Sequence, residues 1–277
     1  MATKIIPIFA GGGTRLPAHL GVLKALDKLA ITFDDIVGVS GGSIIASLFA
    51  SGLNHDEIRN IALHTNYNQF REFSLMKLIR HGGLSSGDIF ERWVDKHLNG
   101  KTFEQLEKNL HIVATDVTKG KPVVFDREHT PKMKVSRAVR YSMSIPLVFS
   151  FKTFGKRIMV DGSILAEEAL HQDWDHKGTP ILCFRLRGEH EYDELSVKGL
   201  FPIFNYVTLL IRTFMTTISR EYINEAFWHN TIIINTGECS AVDFTMSSEQ
   251  KQKLYEIGYN TAMEIIPLKT KVPVQEK

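Results

Sequence analysis

"IVGVSGGSIIASLFASG", Ile36 to Gly52, decides how the chain is read. Four residues of strand character lead into a serine set among glycines, and an apolar, small-residue run follows. The glycines permit a tight turn, and the run after them has the length and composition of a buried helix. Gly38-Val39-Ser40-Gly41-Gly42 fits G-x-S-x-G, the pattern that lifts a serine hydroxyl out of a strand-to-helix turn. The competing reading is a plain glycine-rich turn with no chemistry.

Working outward, the same alternation appears upstream. Lys4 to Phe9 is β-rich and ends in Gly11-Gly12-Gly13. From Pro17 to Ala30 the residues Leu20, Leu23, Leu26 and Leu29 recur at helical spacing, and Pro17 suits a first helical turn. Strand, helix, strand, helix in the first fifty residues predicts an α/β fold with a mostly parallel sheet. Downstream, helices are expected at Asn54–Leu63, Asp88–Leu98, Phe103–Leu110 and Val135–Ser144. Strands are expected at His111–Val117, Lys121–Asp126, Arg157–Ser163 and Pro180–Leu186, with a late one in "TIIINT". Phe201–Trp228 reads as mostly helical, Ser248–Ile266 as a closing helix, and Asn66–Gly87 as a mobile flap.

Bulk properties narrow the function. The 277 residues are 43% hydrophobic and 23% charged, ordinary for a folded chain. A net charge of +2 gives no basic stripe for nucleic acid. Cys183 and Cys239 are isolated, so no zinc or redox motif is expected. The apolar run before the first glycines is too short for a secretory core and reads as a strand. Gly199–Ile218 is apolar, but Pro202, Asn205 and Arg212 interrupt it, which argues against a membrane span. The expected location is the cytoplasm.

Two more constellations carry chemistry. "AGGGTR", Ala10 to Arg15, fails the dinucleotide fingerprint because Leu16 stands where a glycine is needed, and it lacks the Lys-Ser/Thr of a phosphate loop. An oxyanion hole remains, with backbone amides near Gly11, Gly12 and Gly13 and with Arg15 adding charge or anchoring the loop. "MVDGS", Met159 to Ser163, puts Asp161 at a strand end before Gly162. By itself it is an ordinary Asp-Gly turn. A nucleophilic serine needs a base, however, and the eleven histidines offer none in a strand-end context. His19 lies in the first helix. His55, His171, His176 and His190 read as surface or structural residues.

In this order the three stretches resemble the patatin-like phospholipase family. "HLGVLKAL", "ATDVTKGKPVVFD", "SRAVRYSMSIPLVF" and "DFTMSSEQKQKLYEIGY" extend the likeness over most of the chain. Leu16 and Ser163 depart from the residues many members carry, and "ILAEEAL" lacks an Asn-x-Pro. The resemblance implies one three-layer α/β/α domain over 1–277, with a core of about 4–190 and a C-terminal extension of about 195–270. It further implies a lipid acyl hydrolase of phospholipase A or lysophospholipase type, needing no metal or cofactor. Ser40 would be the nucleophile and Asp161 the base. The substrate would be phospholipid or lysophospholipid, reached by peripheral membrane contact. Two rival readings remain at this point. One is an α/β-hydrolase triad using Asp116 or Asp126 and a later histidine. The other is a catalytically silent protein that binds lipid or a partner.

Overall fold

The structure, a computed structural model, describes residues 3–72, 74, 80, 82–166, 170, 172–188, 206 and 229–270. Strands β1 (Ile6–Ala10) and β2 (Asp35–Val39) are buried throughout, the continuous apolar pattern of parallel strands covered on both faces. Helix α1 (Pro17–Lys28) lies between them, and α2 (Gly41–Ala50) follows β2 directly. Helix α3 (His55–His64) starts at a reciprocal Asn54–Glu57 capping box. Then come β3 (Gly83–Ser85), α4 (Asp88–His97), β4 (Asn109–Asp116), β5 (Lys121–Phe125) and α5 (Val135–Ser142). Short strands β6 (Leu147–Phe149), β7 (Lys152–Phe154) and β8 (Arg157–Val160) precede β9 (Ile181–Arg187), β10 (Thr231–Asn235) and α6 (Ser248–Thr270).

Among the described residues the central sheet runs β10-β9-β1-β2-β4-β8-β7, with β5 also on β4. The first four pairings are parallel, whereas β5, β7 and β8 are antiparallel additions. The alternation of strand side chains divides the core. Ile5, Phe9, Ile36 and Ile112 face the helix-rich side, and Ile6, Ile8, Val37, Val39 and Val113 face Ala166, Leu170 and Trp174. On the first side α6 lies tightly on α1. A Cβ on Gly258 would stand 1.9 Å from the Ala18 carbonyl oxygen, and one on Gly21 would stand 2.0 Å from that of Tyr255.

One sequence expectation changes. Phe103–Leu110 is not a helix: a 3-10 turn at Phe103–Gln105 gives way to β4, whose Asn109 pairs with Asp35. The hydrophobic spacing there serves a turn and a strand start together. Of Asn66–Gly87, Tyr67 and Phe70 are buried and β3 pairs with β6, while residues 73, 75–79 and 81 of the expected flap lie outside the described residues. Within Arg157–Ser163, read as a strand ending in a turn, β8 ends at Val160 and Asp161 begins that turn. The helix expected over Phe201–Trp228 lies outside the described residues, Tyr206 excepted. Among the described residues no helix is long and apolar enough to cross a membrane.

Candidate active site

Ser40 sits between β2 and α2 with φ 51° and ψ −129°, a left-handed conformation that costs a non-glycine residue about 1–3 kcal/mol. Several contacts hold it there. Its amide donates to Ser142 Oγ at 2.8 Å, and Ser142 Oγ donates to the Val113 carbonyl at 2.6 Å. Ser43 Oγ donates to the Ser40 carbonyl at 2.6 Å. The elbow glycines allow close approach. A Cβ on Gly38 would stand 2.5 Å from Ser43 Cα, one on Gly41 2.5 Å from the Gly13 nitrogen, and one on Gly42 2.1 Å from the Phe9 carbonyl oxygen.

Asp161 lies at the end of β8, 1% exposed. Ser40 Oγ donates to its Oδ2 at 2.7 Å, and the Ser163 amide donates to Oδ1 at 2.9 Å. The Asp161 amide donates to the Ser144 carbonyl at 3.0 Å. Burial pushes its pKa up to about 6, although hydrogen bonds from Ser40 and Ser163 pull the other way. Gly162 beside it admits no side chain, because a Cβ would meet the Val113 carbonyl oxygen at 2.1 Å. Met143 Sδ stands 3.5 Å from Ser40 Oγ. Ser142, Met143 and Ser144 therefore bridge Ser40 and Asp161. They were not among the residues singled out in the sequence, although "SRAVRYSMSIPLVF" contains them. Buried Arg140 braces the same turn through Ser144 Oγ at 2.6 Å and the carbonyls of Ser86 and Ser150, both at 2.7 Å.

The glycine loop stands against this pair. Gly11, Gly12 and Gly13 have φ of 73°, 112° and 53°, all in the region that favours glycine. Gly11 N–H is engaged with the Val39 carbonyl at 3.2 Å, so it is not a free donor. The Gly11 carbonyl accepts from the Gly42 amide at 3.0 Å and from His19 Nε2 at 3.1 Å. The Gly12 carbonyl accepts from the Arg15 amide at 2.9 Å and from Arg15 Nε at 3.4 Å. In a trans peptide the N–H points opposite to the carbonyl of the same unit. Anchoring those two carbonyls therefore turns the Gly12 and Gly13 N–H groups the other way. Neither makes a backbone hydrogen bond among the described residues. Arg15 is buried and also donates to Thr236 Oγ1 at 3.2 Å, tying the loop to the end of β10.

The histidines fall elsewhere. His19 is fully buried, its ring edge-on to Phe9, and burial lowers its pKa to about 4. It is neutral, and its bond to a carbonyl makes Nε2 the protonated nitrogen. His55 lies against Tyr255 and Asp56, and His176 is exposed near Glu128. His171 and His190 are outside the described residues. Asp126 belongs to His111 and His129, at 3.2 and 2.8 Å. Asp116 accepts from the Thr118 and Lys119 amides. Neither aspartate completes a triad with Ser40, whose hydroxyl is directed to Asp161. Beside the serine lies a small apolar cavity of about 20 Å³, bounded by Gly13, Met143, Phe70, Phe90, Trp93 and Phe149. Among the described residues no cluster of three or more His, Cys, Asp or Glu side chains is placed to hold a metal ion.

Residues 8–172 match the family model described as patatin-like phospholipase. The chain belongs to the patatin-like phospholipase family. The elbow, the glycine loop and Asp161 all lie within the matched segment. An uncharacterized protein of Acanthamoeba polyphaga mimivirus is 28% identical over 276 residues, covering 93% of this chain and 92% of that protein. A probable lipid hydrolase of Invertebrate iridescent virus 6 is 28% identical over 172 residues, 57% of this chain and 59% of its own. The crystal structure of VipD from Legionella pneumophila superposes with a TM-score of 0.59 at 17% identity, over 95% of this chain and 67% of that one. That likeness shows a shared patatin-type α/β fold.

Proposed function

We propose that this patatin-like protein is a lipid acyl hydrolase that cleaves carboxylic esters of phospholipids or lysophospholipids through a Ser40–Asp161 dyad. The observation that carries the reading is the 2.7 Å hydrogen bond from Ser40 Oγ to a buried carboxylate whose pKa is pushed up to about 6. A base works best with a pKa near the working pH, and burial moves Asp161 in that direction. Ser40 Oγ attacks the ester carbonyl carbon as its proton passes to Asp161 Oδ2. The Gly12 and Gly13 amides, with the N-terminus of α2, stabilise the oxyanion. As the tetrahedral intermediate collapses, the departing alcohol takes the proton from Asp161. Water then attacks the acyl-serine and gives its own proton to Asp161. The fatty acid leaves as the proton returns to Ser40 Oγ.

The apolar side chains beside Ser40 favour an acyl chain as the group on the carbonyl side, and a chain enters there only as these side chains move apart, because the cavity between them is about 20 Å³. The name of the iridovirus relative agrees with a lipid ester. Peripheral contact with a membrane from the cytoplasmic side is part of the same reading. The test is mass spectrometry of a phospholipid mixture incubated with wild type and with Ser40→Ala. Wild type is expected to release fatty acid and a lysolipid, and the variant neither. Equal release by both would overturn the proposal.

A further inference from the structure

Strand β4 continues past the level of the serine. Val39, the last residue of β2, pairs with Val113, so Ser40 stands level with Ala114. Beyond that level β4 runs to Asp116, and the Val117 amide donates to the Ile158 carbonyl at 3.1 Å. At roughly 3.3 Å per residue, the β4–β5 turn and the tip of the β7–β8 hairpin stand about 10 Å beyond Ser40. They form a rim at the active-site end of the sheet.

The register sorts the side chains of this rim. Lys152 pairs with Met159 and Asp116, and Thr153 pairs with Ile158. Phe154 and Met159 face the helix-side core. The opposite face then carries Val117, Ile158, Val160 and Phe151. Val117 is 47% exposed and Phe151 41%, two of the few large apolar side chains left in solvent among the described residues. Ile158 and Val160 are half-buried. Phe151 lies two residues from Phe149, which lines the pocket beside Ser40. Val160 immediately precedes Asp161.

Charge follows the same rim. Segments 117–125 and 147–160 contain Lys119, Lys121, Lys152, Lys156 and Arg157 and no aspartate or glutamate. Lys152 pairs with Asp88, and Arg157 stands 3.7 Å from buried Asp116. Lys119, Lys121 and Lys156 are exposed and form no ion pair among the described residues. Lys119 and Lys156 sit in the two turns that flank the outward apolar face, whereas Lys121, paired with Asp116, lies on the other face of the sheet. Apolar side chains that insert shallowly, ringed by lysines that reach headgroup level, match the two attractions of an anionic bilayer.

We propose that this rim, the β4–β5 turn with the β7–β8 hairpin, docks the protein on an anionic phospholipid bilayer and brings the Ser40 end of the sheet against it. The inference rests on the lipid-hydrolase reading for its purpose, but it is tested by binding alone.

The experiment is co-sedimentation of the Ser40→Ala protein, which leaves the lipid intact. One set of vesicles is phosphatidylcholine and the other contains added phosphatidylglycerol. Binding is expected to the anionic vesicles and to be weak to the neutral ones. Lys119→Glu/Lys156→Glu and Val117→Ser/Phe151→Ser are each expected to weaken it on the order of tenfold or more. Lys119→Arg/Lys156→Arg is expected to bind like its parent. The same rim changes in protein that keeps Ser40 are expected to leave hydrolysis of a short, water-soluble ester unchanged, which also confirms folding. No binding to anionic vesicles, or binding unaltered by both double variants, would overturn the proposal. Soluble-ester hydrolysis that persists in Ser40→Ala would overturn the catalytic reading and leave the docking surface standing.

Discussion

Two buried carboxylates on the central sheet meet opposite surroundings. Asp161, at the active-site end, has a hydroxyl and an amide as partners and no cation bonded to it. Burial wins, and its pKa rises to about 6. Asp126, at the end of β5, is also taken from water, but His111 and His129 bond to it and hold its pKa well below the usual carboxylate range. His111 lies between Asp126 and Asp35, with Trp174 against its ring. Its own charge is opposed by burial, yet the two carboxylates raise its pKa. One region holds a carboxylate whose charge burial opposes, and the other holds one whose charge two imidazoles stabilise. A His–Asp pair is therefore present in this protein but stands about three residues, roughly 10 Å, down β4 from the level of Ser40.

The sharpest way to break this contrast is Asp161→Asn. Hydrolysis is expected to fall on the order of a thousandfold or more, measured as kcat/KM on a lipid or soluble ester. Stability is expected to move the other way. The folded pKa of Asp161 lies above its ordinary 3.8, so the folded state binds the proton more tightly than the unfolded chain. Stability is lost as pH rises from about 4 to about 6, and the ionised form costs about 3 kcal/mol thereafter. The asparagine variant is expected to be more stable than wild type above pH 6 in denaturant unfolding, and to lose that advantage near pH 4. Equal stability at both pH values would mean that burial does not perturb this group.

His19→Ala tests the glycine loop. Without the imidazole the Gly11 carbonyl keeps one donor instead of two, and the Gly12 amide loses part of its anchoring. We expect a roughly 10–100-fold fall in kcat with a smaller change in KM, and partial recovery in His19→Gln, whose amide can donate. A change in KM alone would remove His19 from the positioning of the loop.

Wild-type kcat/KM is expected to decline below pH about 6, about tenfold per unit, as Asp161 takes up a proton. A limb that vanishes in any single histidine variant would return a histidine to the mechanism.

The smallest effect on activity belongs to His111→Gln, expected to stay within about twofold of wild type because the ring is remote from Ser40. Its mark is on stability. The raised folded pKa of His111 means that its ion pairs stabilise the fold fully below pH 6.5 and fade as pH rises through the folded value. Thermal unfolding of wild type from pH 6 to 9 should show that decline, and the glutamine variant should flatten it.

The residues whose local chemistry announces them were legible in the sequence. Ser40, Asp161 and the three glycines each stand at a strand end beside a turn residue, and their order carried the family resemblance. The parallel character of the sheet followed from the strand–helix alternation of the first fifty residues, whereas its strand order did not. Long-range placement was not legible. Phe103–Leu110 has apolar spacing that suits a helix, but the Thr102–Gln105 capping box closes only a 3-10 turn before Asn109 joins Asp35. Strand β8 was legible in Arg157–Ser163, but its antiparallel partner β7 is three residues long, too short to show a period. Ser142 and Ser144 act through hydrogen bonds to Ser40, Val113 and Asp161, all far along the chain, and no local pattern marks them. His19 looked like one helix residue among others because the carbonyl it holds lies one turn-loop earlier, across the helix start.

The most direct measurement is peptide mapping after reaction with a fluorophosphonate probe, comparing wild type, Asp161→Asn and His111→Gln. The dyad predicts a single adduct on Ser40, formed at wild-type rate in His111→Gln and far more slowly in Asp161→Asn. An adduct elsewhere, or equal labelling of Ser40 with and without the Asp161 carboxylate, would contradict it.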